Sequence, residues 1–168
     1  MKEIALSRGM VALVDDADYD AVMAAGPWFA EKGHTTFYAG HMVYNGSQRQ
    51  IMRMHQFVLE LHGLEGKGGD HKNHNGLDNQ FHNLRAATQT QNSQHRRKFS
   101  TKNGYVTSSK HKGVGYHKAT GKWPARITVN GKRHPLGYFN NDADAALAYN
   151  IAAWLAYGEF AVLNQIHW

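Results

Sequence analysis

Between Trp123 and Tyr157 the residue pattern leaves little choice of fold. Trp123, Ala125, Ile127 and Val129 alternate with Arg126 and Thr128, the period of a half-buried strand. Asn130-Gly131 follows, a pair that suits the two positive-φ positions of a type I′ hairpin turn. Lys132 to Phe139 is then the returning strand, and Gly113 to His117 reads as a further strand before a turn at Thr120-Gly121. Asn141 stands where a helix N-cap is needed. Alanines at 143, 145, 146, 148, 152, 153 and 156 let a helix from Asp142 to about Tyr157 lie close to a sheet, and Gly158 stops it. A three-stranded antiparallel sheet backed by one helix is therefore predicted for residues 110–168.

The chain before this region reads as a mixture of strands and helices, giving an α+β class overall. Val11, Leu13 and Val14 form a short strand ended by Asp15-Asp16. Asp18 is placed to cap a helix from Tyr19 to Ala25, closed by Gly26-Pro27. Thr36 to Tyr44 and Gln50 to Met54 read as strands around an Asn45-Gly46 turn, and Met54 to Leu61 as a helix ended by Gly63. Glycines at 63, 66, 68 and 69 suggest a flexible lead-in to a short strand over 70–72. A polar turn, His74 to Asn79, separates it from a second strand over 82–85. Thr88 with Gln91 fits a capping box, so a helix should begin there and carry Asn92 near its first turn. Residues 99–109, rich in Ser, Thr, Lys and Gly, read as a linker. The expected organisation is a first domain over 1–98 whose strand-strand-helix unit spans about 64–98, then the linker, then the second domain over 110–168.

Charge is distributed unevenly. From Asn79 to Asn141 there is no acidic residue, yet twelve basic ones: Arg85, Arg96, Arg97, Lys98, Lys102, Lys110, Lys112, Lys118, Lys122, Arg126, Lys132 and Arg133. The whole chain has 19 basic and 13 acidic residues, so the remainder is net −6 (7 basic, 13 acidic). Such asymmetry points to a polyanion, and to binding that weakens steeply with salt. No apolar run approaches the ~20 residues that span a bilayer. The first residues lack the apolar core of a secretory signal. With no cysteine, disulfides and Cys-type zinc sites are excluded. These features predict a cytoplasmic protein held together by packing, with no membrane partner.

At the start of the basic region and just before it, Asp70, His71, Asn83 and Asn92 follow one another at intervals of one, twelve and nine residues. Phosphodiester hydrolysis needs a base for the attacking water and a cation for the leaving oxygen. An imidazole titrates near neutrality and suits the first task. A carboxylate suits the second, because hard oxygen ligands favour Mg²⁺ over Zn²⁺. Adjacent strand residues face opposite ways, so Asp70 and His71 would flank a phosphate rather than share a metal. Asn83 can hold the loop and orient His71, and Asn92 offers a carbonyl oxygen as a second ligand. A competing zinc site of His71, His74 and His82 is conceivable from spacing alone. His55 reads as a satisfied core or supporting residue, Asn79 as a structural turn residue, and Trp123 as core. Arg85 reads equally as a phosphate contact or a surface strand residue. Arg96, Arg97 and Lys98 read as tracking a DNA backbone beyond the helix.

These residues resemble the HNH endonucleases, with their ββα-metal site, of the phage and intron-encoded homing type. The likeness rests on Asp70-His71, Leu77-Asp78-Asn79, Asn83-Leu84-Arg85 and Asn92, over about 25 residues. It implies His71 as general base, Asn83 as its orienter, and Asp70 with Asn92 holding one Mg²⁺ or Mn²⁺. Residues 110–168 resemble the AP2 (ERF-type) DNA-binding domain through Lys112-Gly113-Val114, Gly121-Lys122-Trp123, Leu136-Gly137-Tyr138-Phe139 and the alanine pairs. That likeness implies major-groove contacts at the positions of Lys112, Gly115, His117, Arg126, Thr128, Arg133 and Pro135, with Lys118 and Lys122 adding charge. Together the two resemblances imply a metal-dependent DNA endonuclease of a mobile element, acting on duplex DNA as a monomer or a dimer. The rivals are a non-catalytic AP2-type regulator carrying an inactive HNH relic, and a nuclease for branched DNA or RNA.

Overall fold

A computed structural model describes the chain except residues 65–67, 99–100, 103–104, 107 and 168. It is a mixed α+β protein of small antiparallel sheets and, among the described residues, four α-helices. No described helix is long and apolar enough to cross a membrane. The chain forms two compact units, Met1–Gln89 and Thr90–Trp168.

In the first unit β1 (Lys2–Ala5) pairs antiparallel with β2 (Val11–Val14), and α1 follows at Tyr19–Ala25. Asp18 precedes α1 but makes no side-chain cap. Its carboxylate faces His62 Nε2 at 3.1 and 3.2 Å instead, and the His62 ring stacks on Phe81. A three-stranded meander comes next: β3 (Phe29–Lys32), β4 (Phe37–Asn45) and β5 (Gln48–Arg53). The helix α2 (Met54–Leu61) buries Met54, His55, Val58 and Leu59. Met54, Val58 and Leu59 pack with Ile4, Val14, Val22, Trp28 and Leu84 into one apolar core. The hairpin of β6 (Gly69–His71) and β7 (Leu84–Ala86) lies at sequence positions where two strands were expected. Its second strand starts later than predicted, because Phe81–Asn83 is a 3-10 turn. Gly69 is needed here by contact rather than for flexibility. A Cβ at this position would lie 2.4 Å from Cδ2 of His55.

The second unit opens with α3 (Gln89–Gln94), whose first residue belongs to the first unit. Inside the segment read as a linker, β8 (Thr101–Lys102) and β9 (Tyr105–Val106) pair antiparallel. The main hairpin is β10 (Trp123–Val129) with β11 (Lys132–Phe139). Asn130 and Gly131 both have positive φ, at 50° and 76°, as a type I′ turn requires. The strand expected over 113–117 is reduced to isolated bridges at Val114 and His117, so the regular sheet has two strands. Backbone bonds from Gly115 N to Pro124 O and from His117 N to Lys122 O still tie the segment to β10. The irregularity begins at Gly113, where φ is +78° and a Cβ would strike the Tyr149 ring at 2.0 Å.

The helix α4 (Asp142–Tyr157) packs on this hairpin through Ala145, Ala146, Tyr149 and Ala153. Its larger apolar residues Leu147, Ile151, Trp154 and Leu155 stay exposed. The alanines therefore set the approach distance, and the bulk points outward. Asn141 Oδ1 accepts from Asp144 N at 2.8 Å, so the cap is built. Asn141→Ala should cost about 1 kcal/mol of stability. Chemical denaturation followed by tryptophan fluorescence measures it, and an unchanged midpoint would show the cap to be idle.

Candidate active site

The loop between β6 and β7 is mostly polar: Leu77 and Phe81 pack against the apolar core, and carboxamides hold the rest. Asn83 Nδ2 donates to Asp78 O at 2.7 Å and to Asn73 Oδ1 at 3.1 Å, while Asn83 Oδ1 accepts from Asn73 N at 3.1 Å. Asn73 Nδ2 donates to Asp78 Oδ2 at 2.7 Å. Residues far away in sequence brace the same loop. Leu13 N donates to Leu77 O, and Leu13 O accepts from Asn79 N, both at 2.8 Å. Asp15 Oδ2 accepts from Phe81 N at 2.7 Å, and Thr36 Oγ1 from Gly76 N at 3.2 Å. The segment before residue 63, which carried no functional signal in the sequence, is thus the frame on which the loop is mounted.

His71 ends β6 and is 5% exposed. Its Nε2 lies 3.2 Å from Asn79 Oδ1. Asn83 was expected to orient the imidazole, but the side-chain bond comes from Asn79, and the bonds of Asn83 go to the loop. Asn79 had been read only as a turn residue. No local sequence pattern marks it, because its burial comes from the pairing of the loop with Leu13. The His71 ring also meets His55 edge-on at 4.8 Å between centroids and Tyr38 at 5.9 Å. Tyr38 is itself covered by Arg53, which Glu31 holds through Nε at 2.9 Å. Burial lowers the His71 pKa below the usual 6.5, opposed by the Asn79 bond and by Asp70 and Asp78. The ring is therefore neutral at pH 7.

Asp70 faces the other way and pairs with Arg85, its direct cross-strand neighbour. Arg85 donates to Asp70 Oδ2 from Nε at 2.8 Å and from a terminal nitrogen at 2.7 Å. The two side chains are 13% and 10% exposed. Arg85 is largely buried and paired with Asp70, so it is not a surface strand residue. Asn92 lies on α3, in the second unit. Among the described residues no three His, Asp or Glu side chains group closely enough to cage an ion. The zinc alternative fails on this ground: His74 sits in the loop at φ +64°, and His82 is an exposed member of the 3-10 turn. At this spot the chain offers a single carboxylate, that of Asp70, already paired with Arg85; a structural zinc site takes four protein ligands, whereas Mg²⁺ is commonly held by one or two carboxylates together with water.

In the second unit the expected contacts divide. Arg126 and Thr128 point outward from β10, and Arg133 stands directly opposite Thr128 on β11. All three are exposed, as are Arg96, Arg97, His117, Lys118 and Lys122. Lys122 is hydrogen-bonded to Asn140 at its tip. Lys98 and Lys112 are used differently. Lys98 Nζ donates to the carbonyls of His111 (2.6 Å) and Val114 (3.1 Å). Lys112 Nζ donates to those of Gln94 (2.5 Å) and Arg96 (2.7 Å). Burial brings Lys112 down to about 8. Both lysines cross-brace the residues after α3 against the 111–114 segment rather than face a ligand.

His55 was expected to be satisfied, yet its Nδ1 is buried with no hydrogen-bond partner among the described residues. Its pKa falls to about 3, first through burial and then through His71 and Arg53, with Asp70 opposing. The unfolded chain binds a proton at 6.5 that the folded one refuses until about 3. Stability from this group is complete above pH 6.5 and lost as pH falls, by about 1.4 kcal/mol per unit. His55→Leu should flatten the stability profile between pH 6 and 4 by nearly one proton. Urea midpoints across that range test it; parallel profiles for the two proteins would contradict the assignment.

No family model matches the chain. Over 120 residues it is 33% identical to a protein of Acanthamoeba polyphaga mimivirus described as an uncharacterized HNH endonuclease. The match covers 68% of this chain and 58% of that protein, so the chain spans less than two thirds of its relative.

Proposed function

We propose that the chain is a metal-dependent DNA endonuclease in which His71 accepts the proton of the attacking water. The observation that carries the reading is the placement of His71, neutral and held by Asn79, on the same short strand as Asp70. The two side chains leave opposite faces of β6, the disposition that flanks a phosphate. Asp70 and, by the resemblance, Asn92 would hold a divalent cation, Mg²⁺ or Mn²⁺. Such a cation supplies positive charge to the leaving oxygen. Arg85 positions the Asp70 carboxylate and adds a charge of the right sign near the phosphate. Asn83 keeps the intervening loop in shape. The exposed basic face of β10 and β11, with Arg126, Thr128 and Arg133, serves as the duplex-binding surface in the manner of an AP2 domain, supported at its margins by Arg96, Arg97, His117, Lys118 and Lys122. A homing role in a mobile element accords with the HNH resemblance.

The rival is a non-catalytic DNA-binding regulator. One observation favours it: His71 exposes only 5% of its surface, so substrate must come to an edge of the ring. Nicking of supercoiled plasmid decides between them. The endonuclease reading expects Mg²⁺-dependent nicking that chelator abolishes. It expects His71→Ala to lose at least ~100-fold in rate while DNA binding holds. Intact nicking by His71→Ala, or none by the wild type with any divalent ion, would refute it. Because the base must be unprotonated and its pKa lies below 6.5, the acid limb of the rate should fall below pH 6.5 and the rate should be level from 7 to 8. A limb centred above 7 would count against His71.

The binding face makes a separate prediction. Arg126→Ala and Arg133→Ala should each weaken binding and reduce the salt slope of log K by about 1. Lys98→Met and Lys112→Met should instead lower stability and leave the slope alone. Binding titrations at several salt concentrations, with thermal melts, separate the two groups. A slope altered by the lysines and not by the arginines would reverse the assignment.

A further inference from the structure

Asn79 is 0% exposed, and its backbone N–H and both ends of its side-chain amide have partners. Its backbone N–H donates to Leu13 O at 2.8 Å. Its side-chain Nδ2 donates to Leu77 O at 3.2 Å. Its Oδ1 lies 3.2 Å from His71 Nε2. A carboxamide has one end that only donates and one that only accepts. The Leu77 carbonyl can only accept, so it selects the Nδ2 end. Reversing the amide would set Oδ1 against a carbonyl oxygen and Nδ2 against His71, leaving two buried acceptors facing each other with no proton between them. The acceptor end is thereby committed to His71.

Leu77 O is not free to move away. It also accepts from Leu13 N at 2.8 Å, and Leu13 O accepts from Asn79 N at the same distance. The orientation of one amide is thus fixed by a strand pairing with residues more than sixty positions earlier. An acceptor facing Nε2 requires a proton on that nitrogen. A neutral imidazole carries one N–H, so the lone pair falls on Nδ1.

We propose that Asn79 is a positioning residue that holds His71 with its proton on Nε2, making Nδ1 the atom that takes the proton from the attacking water. The inference rests on the endonuclease reading for the purpose of the tautomer, but the tautomer itself is a property of the folded protein. His55 makes a second contact: its ring meets that of His71 at 4.8 Å between centroids and 76° between planes. Of the two contacts only the amide distinguishes one ring nitrogen from the other.

The test is ring ¹⁵N NMR of the full chain at pH 8, where His71 is neutral, with the His71 signals assigned by loss in His71→Ala. The wild type should show a protonated Nε2 and an unprotonated Nδ1. Asn79→Leu should move both signals toward a tautomer average, and Asn79→Asp, which keeps an acceptor in place, should leave the proton on Nε2. In nicking assays Asn79→Leu should lower kcat by about a hundredfold with little change in KM, and Asn79→Asp should recover part of it. A wild-type proton on Nδ1 would overturn the proposal without any variant being made, so failure of Asn79→Leu to fold does not shelter it. A tautomer and kcat both unchanged in Asn79→Leu would also overturn it. If the NMR pattern is as expected but His71→Ala still nicks, the endonuclease role of His71 falls and the tautomer lock stands.

Discussion

Everything placed at the hairpin of β6 and β7 depends on a polar loop being held rigid without an apolar core of its own. Backbone groups in such a loop must find partners when buried. Here the partners are carboxamides and one carboxylate: Asn73, Asp78, Asn79 and Asn83. Their bonds are short-range in sequence, but the loop is pinned from outside by Leu13, Asp15 and Thr36. Asn79 and Asn83 are buried, and removing either leaves a buried group unpaired, which costs more than the bond itself contributes. His71 inherits its position from this loop.

The electrostatics follow from the same geometry. Strand alternation sends His71 inward and Asp70 toward Arg85. The inward face is dry, which keeps both His55 and His71 neutral at pH 7. The opposite face joins a carboxylate to a guanidinium at 13% and 10% exposure. Breaking that pair from one side would strand a charge at a cost of about 3–5 kcal/mol. A neutral base and a charged pair thus sit back to back on three residues of strand.

Much of the fold was legible locally. The helices at Tyr19–Ala25, Met54–Leu61 and Asp142–Tyr157 and the strands around Asn130-Gly131 announce themselves through periodicity, caps and turn residues. The remainder was decided by contacts between distant residues, which no local pattern carries. Asp18 looks like a cap and instead pairs with His62. The strand at 113–117 dissolves because Gly113 must turn beneath Tyr149. Lys98 and Lys112 look like phosphate contacts within a basic run, but their chains are long enough to reach backbone carbonyls, and they do. At the site, Asp70 and His71 stand out by type and spacing. Asn79 does not, because its importance arises from an N-terminal strand whose pairing with the loop is visible only in three dimensions. The Asp70–Arg85 pair was within reach of sequence reasoning, since hairpin register sets opposite charges opposite each other.

The claim at the centre of this account is that Asp70 and His71 serve one phosphate from two sides, with a cation at the carboxylate. Paramagnetic broadening by Mn²⁺ tests it most directly, using ¹³C- and ¹⁵N-labelled protein at low metal concentration. The account predicts that the Asp70 carboxyl signal broadens first and the His71 ring signals soon after, while residues of α1 remain sharp. Broadening centred elsewhere, with Asp70 and His71 unaffected, would contradict it.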